Sequence, residues 1–290
     1  MNIIRRMIYK VLQAKAKGTC GRTLETGVDK GASEQPSRFN LRGIKMEVTS
    51  FNGRNMFVFR KKGVSGKRHV IFLHGGGYVC QSSRMHWSFV ADFVRKSGLI
   101  LYYPDYPLAP EHHSGAALEF VYDYYCHHLK TCNPDSVIVM GDSAGAGLSL
   151  SLLMKIRNEG IKMPEKGILI SPFLDSELSD NRQREIDPQD PILTVDGLKA
   201  CGKAYAGSLG LEDWRVNPIK GDLSGLCPLS IYTSDLDILH IDALRLKENL
   251  EAMKQSYTFY FEEGMPHDWV LFPGLPEARK ARALIVGECV

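Results

Sequence analysis

None of the seven cysteines stands in a C-x-x-C pair, so neither a zinc site nor a dithiol redox motif is indicated. Their count is odd and their spacing irregular, which fits free thiols in a reducing compartment better than a disulfide framework. The chain has no apolar run of the ~18 residues that a membrane-spanning helix needs. Arg5 and Arg6 are not followed by a long apolar stretch or a small-residue cleavage site, so a secretory signal is not expected and a cytoplasmic location is. No basic stripe with interleaved aromatics is present, which argues against nucleic-acid binding. The 36 basic and 33 acidic residues largely alternate, giving a net charge of +3 and the pattern of a solvated surface. Internal repeats and low-complexity segments are also lacking.

What is present is enough for one large domain, or one domain with an appended lobe: 290 residues, of which 44% are hydrophobic. Near the start, Ile3, Ile4, Met7, Ile8, Val11 and Leu12 recur at helical spacing, with Arg5, Arg6 and Lys10 between them. The expectation is a helix packed on the body of the protein; a membrane-surface helix is the alternative.

From about residue 43, strands alternate with helices. Residues 44–48 and 56–60 read as strands joined at Asn52-Gly53, a strong hairpin signal. Further strands are expected at 69–73, 99–103, 137–140, 167–170, 229–233 and 257–261, with helices at 87–94, 116–129, 144–156, 242–253 and from 277. Such alternation predicts an α/β fold, with a mostly parallel central sheet flanked by helices and an antiparallel hairpin at its edge. The rhythm breaks at 175–226, about fifty residues rich in charge and proline with one clear helical stretch at 195–205. That is too long for an ordinary connection and reads as a small helical cap. The division expected is a catalytic domain at 41–174 and 216–290, with a cap formed by 1–40 and 175–215.

Gly141-Asp142-Ser143-Ala144-Gly145 lies between a strand and a helix, where a sharp turn lifts a serine out at the top of a sheet. The following helix offers unsatisfied N–H groups at its N-terminus, which favour negative charge. Earlier, His74-Gly75-Gly76-Gly77 closes another apolar strand, and its glycines let backbone N–H groups face a substrate without obstruction. His74 itself reads as a loop-shaping residue. A serine nucleophile needs a base and an acid, in the chain order Ser, Asp or Glu, His. Only His240 and His267 follow Ser143. His267 sits just past the last strand and is preferred, whereas His240 reads as exposed at a helix start. Asp235, Asp237 and Asp242 are the candidate acids; spacing favours the first two, since Asp242 falls in the helix.

Taken together, these motifs resemble the hormone-sensitive-lipase-like branch of the α/β-hydrolases, which includes many bacterial carboxylesterases and acetyl esterases. The resemblance covers roughly residues 68–272. It rests on His74-Gly75-Gly76-Gly77-Tyr78, Tyr106-Pro107-Leu108-Ala109-Pro110-Glu111, the Ser143 pentapeptide, Ser171-Pro172, Asp237-Ile238-Leu239 and Gly264-Met265-Pro266-His267. It implies Asp237 as the acid, and oxyanion donors at Gly76, Gly77 and Ala144. It also implies a lid made of the N-terminal segment and the insertion, a structural role for Glu111, a supporting one for Asp142, and a possible homodimer. The chain departs from the family pattern at Pro107, Cys227-Pro228 and Asp268-Trp269, and Trp269 could either line the site or simply pack.

The expected activity is a serine carboxylesterase acting on small esters, acetyl to butyryl, through an acyl-enzyme formed by Ser143, Asp237 and His267. No metal or organic cofactor is called for. An amidase or arylformamidase with the same triad, and an inactive ligand-binding protein, are the alternatives.

Overall fold

The computed structural model describes residues 16–26 and 41–290. The amphipathic pattern at residues 3–12 lies outside them. Eight strands, β1 (Ile44–Phe51), β2 (Arg54–Lys61), β3 (Arg68–Leu73), β4 (Ile100–Pro104), β5 (Ser136–Asp142), β6 (Lys166–Ile170), β7 (Leu229–Thr233) and β8 (Tyr257–Phe261), form one sheet in the order β1-β2-β4-β3-β5-β6-β7-β8. The β1–β2 and β2–β4 pairs are antiparallel and the others parallel. The hairpin turn is set by Asn52 and Gly53, both at positive φ (47° and 77°), as a two-residue turn of the primed kind demands.

Eight helices are described: α1 (Thr19–Thr26), α2 (Arg84–Ser97), α3 (Ser114–Cys132), α4 (Ser143–Asn158), α5 (Arg182–Ile186), α6 (Val195–Ala206), α7 (His240–Ala252) and α8 (Pro276–Cys289). Side chains that alternate along the central strands feed two cores. Ile71, Leu73, Val137, Val139 and Ile231 pack with α3, α4 and α7. Val70, Phe72, Ile138, Met140 and Tyr232 pack with α2 and α8 on the other face. A sheet buried on both faces explains why β3 and β5 read as continuous apolar runs.

The segment 175–226 contains α6, as expected, and also the short α5 and two 3-10 turns, Gly207–Leu209 and Pro218–Lys220. Helix α1 lies against α6 so closely that a Cβ on Gly21 would come within 2.7 Å of the Gly197 Cα. The Gly18 N–H donates to the Ile192 carbonyl at 2.8 Å, tying the early segment to the insertion.

Candidate active site

The carboxyl ends of the parallel strands converge on one crevice, the usual place for a ligand in an open α/β sheet. Strand β5 ends at Asp142, and Ser143 opens α4 with φ at 50°, a left-handed conformation rare for a residue with a side chain. The turn is held by close packing. A Cβ on Gly145 would fall 2.0 Å from the Leu73 carbonyl oxygen, and one on Gly75 would fall 2.8 Å from the Ser143 Cβ. The flanking glycines therefore let the end of β3 and the start of α4 touch. The Ser143 carbonyl accepts the Phe173 N–H at 3.0 Å, which fixes the turn from the β6 side.

Three sequence-predicted residues from three loops meet here. The His267 Nε2 lies 3.0 Å from the Ser143 Oγ, and its Nδ1 lies 2.9 Å from the Asp237 Oδ2. Ser143 and His267 are only 3% and 4% exposed, and Asp237 is fully buried. The loop bearing His267 is fastened to the loop after β7. The Met265 N–H donates to the Ser234 hydroxyl at 2.8 Å, and the Gly264 N–H donates to the Asp235 carboxylate at 2.6 Å.

Asp235 thus holds the loop that bears His267 rather than the His267 ring. Asp242 instead accepts the N–H groups of Leu174 and Asp175 at 2.9 and 3.0 Å. His240 is half-buried, not exposed as expected: its ring contacts the Thr233 hydroxyl at 3.0 Å and packs against Phe261. The helix start folds back over the end of β7, and that return covers the ring.

The glycine loop also lies at the crevice. Gly76 and Gly77 have φ of 117° and 61°, and Ala144 sits in the first turn of α4, where N–H groups have no intrahelical acceptor. His74 shapes this loop: its Nδ1 contacts the Gly75 carbonyl at 2.7 Å, and its ring stacks on Tyr106. Burial, reinforced by His86, pushes the His74 pKa down to about 4, so the ring is neutral. Tyr106, from the motif that ends at Glu111, donates its hydroxyl to the His74 carbonyl at 2.6 Å. Glu111 itself is solvent-exposed.

Several contributors carry no sequence signature. His86 at the start of α2 contacts the Asp142 carboxylate at 3.1 Å; burial opposes charge on its ring, but that carboxylate outweighs it and raises the pKa. Asp190, from the insertion, accepts the Ile238 N–H at 2.9 Å and so joins the cap to the loop of Asp237. Burial and then the nearby Asp237 push Asp190 up to about 6. Most consequential is Asp268. Its Oδ2 lies 3.1 Å from the His267 Nε2, the nitrogen that also faces Ser143. Its Oδ1 is buried without a hydrogen-bond partner among the described residues, and burial lifts its pKa to about 7. Asp268 was visible in the sequence only as a departure beside His267. The neighbouring Trp269 is 2% exposed and packs in the core with α2 and α8, so it does not line the site.

A cavity of about 280 Å³ opens beside Gly76 of the glycine loop and His86. Gly18, Cys20, Gly76, Cys80, His86 and Leu198 are part of its mainly apolar wall, so α1 and α6 roof it and the glycine loop floors it.

Residues 70–271 match the family described as having the alpha/beta hydrolase fold. An esterase of Acinetobacter venetianus is 31% identical over 226 residues, covering 77% of this chain and 75% of that protein. An acetyl-hydrolase of Streptomyces hygroscopicus is 31% identical over 74% of this chain and 72% of its own length. The crystal structure of an esterase from the bacterial hormone-sensitive lipase family superposes with a TM-score of 0.81, at 26% identity, over 93% of this chain and 96% of that one.

Proposed function

The chain belongs to the α/β-hydrolase family, on its hormone-sensitive-lipase-like branch, and is a carboxylic ester hydrolase; from that premise we propose that Ser143, His267 and Asp237 are its triad. The observation that carries this reading is the unbroken relay from Asp237 through His267 to Ser143, at 2.9 and 3.0 Å. His267 takes the Ser143 proton as the hydroxyl attacks the ester carbonyl. Asp237, at Nδ1, holds the ring in the tautomer that leaves Nε2 free to accept that proton, and stabilises the imidazolium that forms. The N–H groups of Gly76, Gly77 and Ala144 receive the developing oxyanion, each contributing about 3 kcal/mol. His267 then protonates the leaving alcohol, activates water, and the acyl-enzyme is hydrolysed.

The substrate we infer is a small ester with an acyl chain from acetyl to butyryl. A mainly apolar cavity of about 280 Å³ suits such a group. We place the enzyme in the cytoplasm and take residues 1–40 and 175–215 as its cap. Cell fractionation tests the location and light scattering the homodimer. Among the described residues, no helix is long and apolar enough to cross a membrane.

The deciding experiment is hydrolysis of a p-nitrophenyl ester series by the parent and by Ser143→Ala. The parent is expected to peak at short chains, and the variant to lose at least about 10⁴-fold in kcat. Equal rates in both would remove Ser143 as nucleophile. A maximum at long acyl chains would sink the short-acyl assignment.

A further inference from the structure

Three cysteines from separate segments crowd the glycine loop beside the cavity, Cys80 at Gly76 and Cys20 and Cys201 at Gly77. Cys20 comes from α1, Cys80 from the turn after the glycine loop, and Cys201 from α6. A Cβ on Gly77 would stand 3.2 Å from the Cys201 Sγ and 3.4 Å from the Cys20 Cβ. The Cys20 and Cys80 sulfurs are 3.5 Å apart, and both residues line the cavity, which gives a small solute a route to them. All seven cysteines are free thiols.

The two sulfurs are not equivalent. The S–H of Cys20 and, at 3.8 Å, the Thr23 hydroxyl stabilise a Cys80 thiolate against burial and bring its pKa down to about 7. Contact with Cys80, and then burial, hold Cys20 as the thiol. Burial likewise pushes Cys201 up to about 12. A low-pKa thiolate beside a second thiol is the arrangement of a reactive cysteine and its resolving partner.

We propose that Cys20 and Cys80 are a peroxide-reactive dithiol, an oxidative modification site in the wall of the substrate cavity, whose disulfide fastens the cap helix α1 to the glycine loop and suppresses ester turnover. The Cys80 thiolate attacks a hydroperoxide, an S–O bond forms as the O–O bond breaks, and the second oxygen leaves as water or an alcohol. The Cys20 sulfur then attacks the sulfenic acid. An S–S bond forms, the S–O bond breaks, and hydroxide departs with the Cys20 proton as water. Overall, two thiols lose two electrons and two protons to the peroxide.

Bonding draws the sulfurs from 3.5 Å to about 2.05 Å. That pull reaches the site directly, because the Val79 and Cys80 N–H groups both donate to the Gly76 carbonyl, at 3.1 and 2.9 Å. A misplacement of about 1 Å can reduce turnover by about 10²-fold. The loss of turnover rests on the esterase reading; the crosslink does not.

The test treats the reduced, full-length protein with a few equivalents of hydrogen peroxide, alkylates it, and maps its peptides without reduction. The expected product joins the Cys20 and Cys80 peptides and is lighter than their sum by two hydrogens. p-Nitrophenyl acetate hydrolysis falls about tenfold or more and recovers in dithiothreitol. Taking each protein's treated-to-untreated ratio, Cys20→Ser and Cys80→Ser lose this reversible fall, whereas Cys201→Ser retains it. Alkylated Cys20 and Cys80, or a bridge from either of them to Cys201, would overturn the site. A Cys20–Cys80 bridge with undiminished hydrolysis would overturn the control of turnover. A parent inactive before treatment would count against the esterase reading alone, since the peptide map still decides the crosslink.

Discussion

Beyond β7 the chain buries two aspartates, Asp237 in the loop and Asp242 in the first turn of α7, and both are 0% exposed. Their surroundings share a lack of solvent and differ in what faces the carboxyl group. Asp237 meets the ring of His267 at 2.9 Å, and its other oxygen accepts the Leu239 N–H at 2.9 Å. Asp242 meets neutral donors: the backbone of Leu174 and Asp175, and the Gln183 amide at 2.9 Å. Burial, with the nearby Asp175 adding to it, carries Asp242 up to about 8 despite those N–H groups. Burial alone therefore does not set the role of a carboxyl group. The group opposite differs: an imidazole ring for Asp237, and the backbone after β6 for Asp242, which that contact pins to α7.

The largest expected effect separates the two sites. Replacing the acid by its amide in a Ser-His-Asp relay lowers kcat by about 10⁴-fold by favouring the wrong tautomer. Asp237→Asn is therefore expected to lose activity on that scale while keeping its thermal midpoint close to the parent's. Steady-state kinetics and a melting curve on the same preparation check it. A loss below about tenfold would take the acid role from Asp237, and the contrast with Asp242 would collapse.

A smaller effect concerns the other ring nitrogen. Burial disfavours a charged His267, but Asp237, Asp268 and their hydrogen bonds outweigh it and raise its pKa well above the ordinary value. The His86–Asp142 pair, next in the chain to Ser143, and Asp190, which interacts with Asp237 and His267, are further titratable groups nearby. Since the base must be neutral to accept the serine proton, kcat/KM is expected to rise with pH along a limb set by His267. Asp268→Asn removes one of the charges that hold the proton on His267. Its limb should move to lower pH, by about one unit, which is about tenfold more activity than the parent on the acid side. A limb that stays in place, or moves up, would show that Asp268 does not act on Nε2.

The sequence carried the parts of this site that are contiguous in the chain. Gly141 to Gly145 must turn sharply because Gly145 packs against the Leu73 carbonyl, and that steric need leaves its mark as glycines at fixed spacing. The same holds for Asn52-Gly53, whose two positive φ angles a hairpin requires. The alternation of strands and helices gave every strand from β1 to β8, with boundaries shifted by a few residues at most. Spacing does not separate Asp235, Asp237 and Asp242; they differ in contacts between loops, and Asp237 is the one set against the His267 ring. The roles of His86, Asp190 and Asp268 were not legible for the same reason: each depends on which distant residue the fold sets opposite it. His240 shows the converse error, since a helix start is exposed only when nothing folds back over it.

The smallest effect on activity, and the sharpest test of the comparison, comes from Asp242→Asn. The pKa of about 8 in the folded protein lies above the ~3.9 expected when unfolded. Folding therefore takes up a proton that the unfolded chain releases. The stabilisation is fully present below about pH 4 and is lost as pH rises through about 8. The amide cannot titrate, yet it still offers an oxygen to the N–H groups of Leu174 and Asp175. The variant should thus gain on the parent steadily from pH 5 to pH 8, where a difference of about 1 kcal/mol moves the melting midpoint of a chain this size by about 2 °C. Its kcat should remain within about twofold of the parent's, as for a residue remote from the chemistry. A constant difference in midpoint across that range would mean that Asp242 is charged in the fold, and that neutral donors, the N–H groups of Leu174 and Asp175 with the Gln183 amide, can hold a buried carboxylate there.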